Sequence, residues 1–217
     1  MPPPKTPWPT KDAMTQVYQN RLWGTGTTPF YSGQGSHDTE TVKLYLQAVT
    51  TFFKTLENPP VVCDLGCGDF NVGKALVPHT QAYKAVDIVP ELIAYNTKTF
   101  QNDQLTFDTL DIAKDPLPTG NVALLRQVLQ HLSNAEIAFV VKKLYAYKYS
   151  ILTEHLPDHD FTPNKDIISG QGIRLKKKSG VDLLAAPFHF KIKEKKELVN
   201  IPAPGTKGKL VTTLYKC

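Results

Sequence analysis

The ten residues Val61-Val62-Cys63-Asp64-Leu65-Gly66-Cys67-Gly68-Asp69-Phe70 constrain the fold of this chain more than any other stretch. An apolar strand ends there in an acid and drops into a turn with two glycines. Glycine suits such a turn because it reaches positive φ freely and has no Cβ to hold a ligand off the backbone. The polar segment Asp69 to Val77 that follows is expected to open a helix. Strand, glycine turn, helix is how open α/β sheets cradle nucleotide-like ligands at strand carboxyl ends. A dinucleotide fingerprint starting at Gly66 would need a third glycine at position 71, which is Asn71, and Gly73 comes too late. NAD is therefore disfavoured, and a cofactor without a pyrophosphate is favoured.

Further strands follow in order. Gln81 to Ile88 reads as a second strand, and its Asp87 lies about 20 residues beyond Gly66, where an acid usually accepts hydrogen bonds from ribose hydroxyls. Pro90 suits the first turn of a helix carrying Leu92, Ile93 and Tyr95. Leu105 to Leu110 forms a third strand, ending in Asp111-Ile112. Val122 to Leu125 forms a fourth, running into Arg126-Gln127-Val128-Leu129-Gln130-His131. Ser133-Asn134-Ala135-Glu136 is a capping box, with Ile137, Val140, Val141 and Leu144 on one face of the helix that it starts. A fifth strand, Ser150 to Thr153, should deliver Glu154 and His155 at its end.

With these residues in place, positions 59 to 155 resemble the class I S-adenosylmethionine-dependent methyltransferases. The resemblance rests on Asp64-Leu65-Gly66-Cys67-Gly68, Val86-Asp87-Ile88, Leu110-Asp111-Ile112 and Arg126 to His131. It implies a Rossmann-like α/β fold with S-adenosylmethionine as cofactor. Gly66 and Gly68 would lie against its methionine and ribose portions, and Asp64 would orient its amino group. Asp87 would hold the ribose diol and Asp111 face the adenine amino group, with Ile88 and Ile112 sandwiching the ring. Arg126 and Gln127 would line the methionine side. No catalytic residue carries over, because the family has no universal one. Asp64 and Asp111 keep a second reading, as caps of a helix or turn.

The rest of the chain is read around that frame. The first stretch, to about Gly35, is rich in Pro, Gly, Thr and aromatics and is expected to be too irregular for a core element. A helix follows, with Val42, Tyr45, Leu46, Val49, Phe52, Phe53 and Leu56 at helical spacing and Ser36 or Asp38 near its cap. It should lay the preceding loop over the cofactor mouth, bringing Tyr31, Ser32 and His37 to cofactor or substrate; a surface loop held by its own aromatics is the alternative. Residues 1–58 thus form a covering extension to a cofactor-binding unit at 59–217. The segment from about Leu156 to Pro187 lacks periodicity, and loops this long are usually functional or disordered. Two strands, Phe188 to Lys193 and onward, then Lys209 to Tyr215, close the chain as an antiparallel hairpin. The fold expected is a doubly wound, mostly parallel, seven-stranded sheet with an antiparallel C-terminal strand and an N-terminal helical extension.

For catalysis, Glu154, His155 and His131 are the candidates to orient or deprotonate an acceptor. His131 has a second reading as a hydrogen-bonding residue before a helix cap. A metal set of His155, His159 and nearby acids is disfavoured because Pro157 interrupts a regular helix, and no metal is expected. A chain of 217 residues with 41% hydrophobic residues makes one globular unit. No stretch approaches the run of about 20 apolar residues that a membrane span needs. Three cysteines, with Cys63 and Cys67 flanking the glycine turn, suit neither a disulfide framework nor a zinc knuckle and point to a reducing cytoplasm. The net charge of +5 permits a nucleic-acid partner without requiring one, through Lys176-Lys177-Lys178 and the lysines at 191 to 196. The favoured reading is a methyltransferase acting on a small-molecule or glycan-type acceptor. RNA or protein methylation, and a non-catalytic cofactor-binding protein, stay open. Nothing in the sequence speaks to oligomeric state.

Overall fold

The computed structural model describes residues 8–217. Seven strands form one sheet: β1 (Val61–Leu65), β2 (Ala82–Asp87), β3 (Leu105–Thr109), β4 (Val122–Arg126), β5 (Tyr149–Leu156), β6 (Glu194–Pro202) and β7 (Lys209–Lys216). Their order is β3-β2-β1-β4-β5-β7-β6. β1 through β5 pair in parallel, and β7 pairs antiparallel with both β5 and β6. This is the Rossmann-like, mostly parallel architecture expected. Chain order reverses direction between β1 and β4, so a crevice opens there at the carboxyl ends of the strands, where open α/β sheets take their ligands.

Period-two alternation builds a core on each face of the sheet. Cys63, Leu65, Ala123, Leu125 and Leu152 point to one side, where Ile137, Val140, Val141 and Leu144 of helix α4 (Asn134–Leu144) cover them. Val62, Tyr83, Ala85, Val122, Leu124 and Ile151 point to the other side, under Tyr45, Val49 and Phe53 of helix α2 (Thr39–Phe53). Asp38 caps α2 by accepting a hydrogen bond from the Thr41 amide, and Ser133 and Glu136 form the reciprocal capping box of α4. Helix α3 (Pro90–Thr99) starts on Pro90 as expected.

Four sequence-based expectations change. The N-terminal stretch contains a regular helix, α1 (Thr10–Gln19), that buries Val17 and Tyr18. Met14, Val17 and Tyr18 carry a short helical spacing there, which the surrounding Pro, Gly and Thr obscure. The glycine turn leads into two 3-10 turns, Gly73–Ala75 and Val77–His79, in place of a helix over Asp69 to Val77. Gly73 weakens a helix and Pro78 lacks the amide that would continue one. β5 runs three residues further than expected, because Glu154, His155 and Leu156 pair with Val211, Leu210 and Lys209 of β7. β6 starts at Glu194, later than the expected Phe188. Between β5 and β6 the chain forms a covering segment with one 3-10 turn, Arg174–Lys177.

Replacing Ser133 by Ala removes the reciprocal cap of α4, which supports one face of the central strands. The expected loss is about 1 kcal/mol, read as a lower denaturant midpoint with an unchanged slope.

Candidate active site

A cavity of about 360 Å³ sits at the carboxyl ends of β1, β2 and β4. Its floor is the turn after β1. The amides of Gly66 and Cys67 both donate to the Val86 carbonyl at 2.9 Å, which folds the turn back over β2. Gly66 (φ +90°) and Gly68 (φ +56°) hold left-handed conformations. A Cβ on Gly66 would lie 2.6 Å from a Val128 methyl, and one on Gly68 would lie 2.4 Å from the Ser32 hydroxyl. Both positions therefore need glycine for space as well as for backbone angle. Asn96 of α3, fully buried, donates to the Gly68 carbonyl at 2.8 Å and fixes the turn from behind.

Carboxylates from three successive strand ends line this cavity. Asp87 accepts from the Gly68 and Val89 amides, each at 3.1 Å. Burial pushes its pKa up to about 6, against the lowering effect of those amides. Asp64 accepts from the Tyr83 hydroxyl at 2.8 Å. Burial, with Asp87 adding to it, pushes Asp64 up to about 6 as well, opposed by Tyr83 and the Arg126 guanidinium. Asp111 lies just past β3, where it caps a turn through the Ala113 amide (3.0 Å) and pairs with Lys114 (3.0 Å). Ile88, Ile112, Arg126 and Gln127 complete this part of the lining. Asp111 thus caps a turn, as its second reading had it, and is also part of the cavity lining.

The N-terminal segment closes over this floor by a clamp centred on Asp69. The Ser32 amide donates to Asp69 at 2.8 Å, and the Asp69 amide donates back to the Ser32 hydroxyl at 2.8 Å. His37 Nε2 lies 2.6 Å from the same carboxylate. Arg126 donates to the Gly35 carbonyl (2.6 Å) and the Ser36 hydroxyl (3.1 Å), and its guanidinium lies over the Tyr45 ring. Ser32 reaches the cavity wall. Tyr31 does not: it stacks on His37 at 4.4 Å, and neither of the two lines the cavity. The sequence reading missed Asp69 as a clamp, and it missed Met14, Tyr18 and Trp23 of the N-terminal segment as cavity residues. An acid directly after a ligand-cradling glycine was the available signal for Asp69.

The three catalytic candidates separate. Glu154 and His155 lie within β5, outside the cavity lining. Glu154 is sealed with neither carboxyl oxygen partnered, and burial holds its pKa well above the ordinary value. His155 Nε2 meets the Lys207 carbonyl at 2.8 Å. Only His131 lines the cavity, with its ring 5.0 Å from that of Trp23. Its Nδ1 lies 3.1 Å from the Gly170 carbonyl, so it carries the proton. Its Nε2 lies 3.2 Å from the Gln130 side-chain nitrogen. The Gln130 oxygen accepts from the His155 amide, which sets that amide nitrogen as the donor to His131. Burial lowers the His131 pKa to about 4, so the ring is neutral near pH 7.

Replacing Asp64 by Asn keeps an acceptor for Tyr83 and removes a buried charge. Because the folded pKa is raised, the carboxylate costs stability above about pH 6. That cost vanishes as pH falls toward the ordinary carboxylate range near 4. The ligand-free variant should melt on the order of 5 °C above wild type at pH 8, with the gap closing by pH 4 in scanning calorimetry.

No family model matches this sequence, and no curated protein matches it. Solved structures do match in three dimensions. The N-methyltransferase NodS of Bradyrhizobium japonicum, solved with S-adenosylhomocysteine, superposes with a TM-score of 0.65 at 10% identity, over 94% of this chain and 98% of its own. The magnesium protoporphyrin IX methyltransferase of Synechocystis, with S-adenosylmethionine bound, gives 0.56 at 16% identity over 98% and 100%. Human N-acetylserotonin methyltransferase with S-adenosylmethionine gives 0.59 at 18% identity, over 96% of this chain and 60% of its own. With its strand order, its glycine turn and its carboxylate-lined crevice, this chain has the Rossmann-like fold of the class I S-adenosylmethionine-dependent methyltransferases.

Proposed function

We propose that this protein is an S-adenosylmethionine-dependent methyltransferase acting on a small-molecule acceptor. The observation that carries the reading is the set of carboxylates at three successive strand ends around a turn that only glycine fits. Asp87 has two backbone amides on it and further lone pairs for a cis-diol. Asp64 spends one oxygen on Tyr83 and keeps the other for a cationic amino group. Asp111, Ile112 and Ile88 line the same cavity, which supports an adenine read at its edge by Asp111 and held between the two isoleucines. The residues present thus match the polar and apolar parts of the cofactor one by one.

S-adenosylmethionine supplies an electrophilic sulfonium methyl that needs no activation by the protein. The work left to this chain is to hold, align and dehydrate. The glycine turn and the Asp87 carboxylate fix one end of the cavity. The Asp69 clamp draws residues 32–36 across it, and positioning of this kind supplies much of the acceleration in a group transfer. A second cover comes from residues 166–173. The Gly170 amide donates to the His131 carbonyl at 3.0 Å, and the Gln171 side chain donates to the Leu22 carbonyl at 2.7 Å. The two covers meet where Gln171 reaches Leu22, beside Trp23 of the lining.

An RNA acceptor is less well supported. Lys176, Lys177 and Lys178, and the lysines from 191 to 196, are absent from the cavity lining. Those on β6 share the exposed edge strand with Glu194 and Glu197, as edge strands guarded against pairing do.

Calorimetry tests the cofactor reading: S-adenosylhomocysteine should bind and NAD should give no heat. Asp87→Asn should weaken S-adenosylhomocysteine roughly 10- to 100-fold, the range for a lost charge-assisted hydrogen bond, with the far-ultraviolet spectrum unchanged. Equal affinity of variant and wild type would remove the basis of the proposal.

A further inference from the structure

Resting on the methyl-transfer reading, we infer that the acceptor is an uncharged nitrogen nucleophile, an aromatic amine or nitrogen heterocycle, received on Trp23 and the amides of Gln34, Gln127 and Gln171. Among the described residues four acids line the cavity, each with partners in the protein, and the lone pairs left on Asp64 and Asp87 are those that the cofactor's amino group and diol would take. Asp64 holds Tyr83, Asp87 holds the Gly68 and Val89 amides, Asp69 holds Ser32 and His37, and Asp111 holds Ala113 and Lys114. Among the described residues of the lining the one cation is Arg126; its terminal nitrogens donate to Gly35, Ser36 and Gln127, and its remaining Nε, without a protein partner, is left on this reading for the cofactor's own carboxylate. His131 has a partner at each ring nitrogen. With the cofactor in place, no group of the lining among the described residues is left over to take a proton from a hydroxyl or to pair with an acceptor's carboxylate or thiolate.

A neutral nitrogen needs neither service. Its lone pair forms the new N–C bond as the C–S bond breaks, and the bonding electrons return to sulfur, leaving a thioether. The nitrogen, now cationic, releases an N–H proton to solvent, or keeps the charge if it carried no hydrogen. A hydroxyl acceptor, by contrast, must lose its proton for the reaction to proceed, which calls for a positioned base.

The mouth fits the same class. Among the described residues, Gln34 and Gln171 are the exposed side chains of the lining, and Gln127 and Trp23 are half-buried. These residues are contiguous. Gly33 packs on Trp23, Gly35 abuts the Gln127 amide, and Gln171 is tied to Leu22 beside Trp23. Gln34 accepts from Tyr31 and Gln127 from Arg126, which leaves both NH2 groups as donors. Gln171 donates to Leu22, which leaves its oxygen as an acceptor. An indole with amide donors and an amide acceptor is suited to a flat ring with hydrogen-bonding edges. Gln127 is held at φ +58°, an unusual backbone conformation for a residue with a side chain and one found often at ligand sites.

The chain has two tryptophans, so Trp8→Phe makes Trp23 the sole indole reporter without touching the cavity. With S-adenosylhomocysteine bound, and that binding checked on the same sample by calorimetry, benzimidazole, adenine and 2-aminopyridine should quench its emission saturably. Phenol and benzoate should bind at least tenfold more weakly. Gln34→Leu and Gln171→Leu should each weaken the heterocycles about three- to tenfold. With S-adenosylmethionine, mass spectrometry should find the methyl on nitrogen. Tighter binding of, or faster transfer to, phenol or benzoate overturns the inference, as does failure of every nitrogen compound to quench. Failure of S-adenosylhomocysteine to bind overturns the methyl-transfer reading itself.

Discussion

The Asp87 carboxylate is the joint on which this site is built. It ends β2, yet it accepts the amide of Gly68 in the turn after β1 and that of Val89 at the start of α3. Three elements that diverge from the sheet are thereby held by one buried anion. Hydrogen bonds to a charged group are stronger than neutral ones, and this one sits where burial raises the cost of the charge. The protein tolerates that cost at the place where a ligand's hydroxyls would complete the carboxylate's hydrogen bonding. Asp64 repeats the pattern one strand over, with Tyr83 as its support.

The covers are held by polar contacts of a different kind. Asp69 binds Ser32 and His37, Arg126 binds Gly35 and Ser36, and Asn71 donates to the Ser36 carbonyl at 2.8 Å. These contacts join loop backbone to the cofactor turn and to the end of β4. They are polar contacts between loops, suited to being made and broken while the sheet stays fixed. Beneath, Phe70, Tyr83, Phe100 and Phe107 meet edge to face and pack the floor under the glycine turn.

The strands and their terminal acids were legible because short apolar runs ending in Asp, spaced by a glycine turn, have few other solutions. The capping box and α3 were legible from side chains that act within a few residues. What escaped depends on distant partners. Glu154 and His155 read as residues beyond a strand because they are polar, but pairing with β7, more than 50 residues later, draws them into β5. The helical spacing of Met14, Val17 and Tyr18 is brief, and α1 is stabilised by packing against Val89, Leu92 and Ile88 rather than by its own composition. The commitment of both His131 nitrogens follows from Gly170 and from a glutamine amide whose orientation His155 sets. No local pattern encodes that.

The two covers are also cross-tied. Thr10 at the start of α1 and Ser169 in the second cover both donate to Glu136, at the start of α4, and Gln171 reaches Leu22. Residues near either end of the chain's fold-back therefore share a single anchor, so neither flap can swing alone. Traffic through the mouth becomes a concerted event, in which loosening residues 10–36 is felt well over a hundred positions downstream.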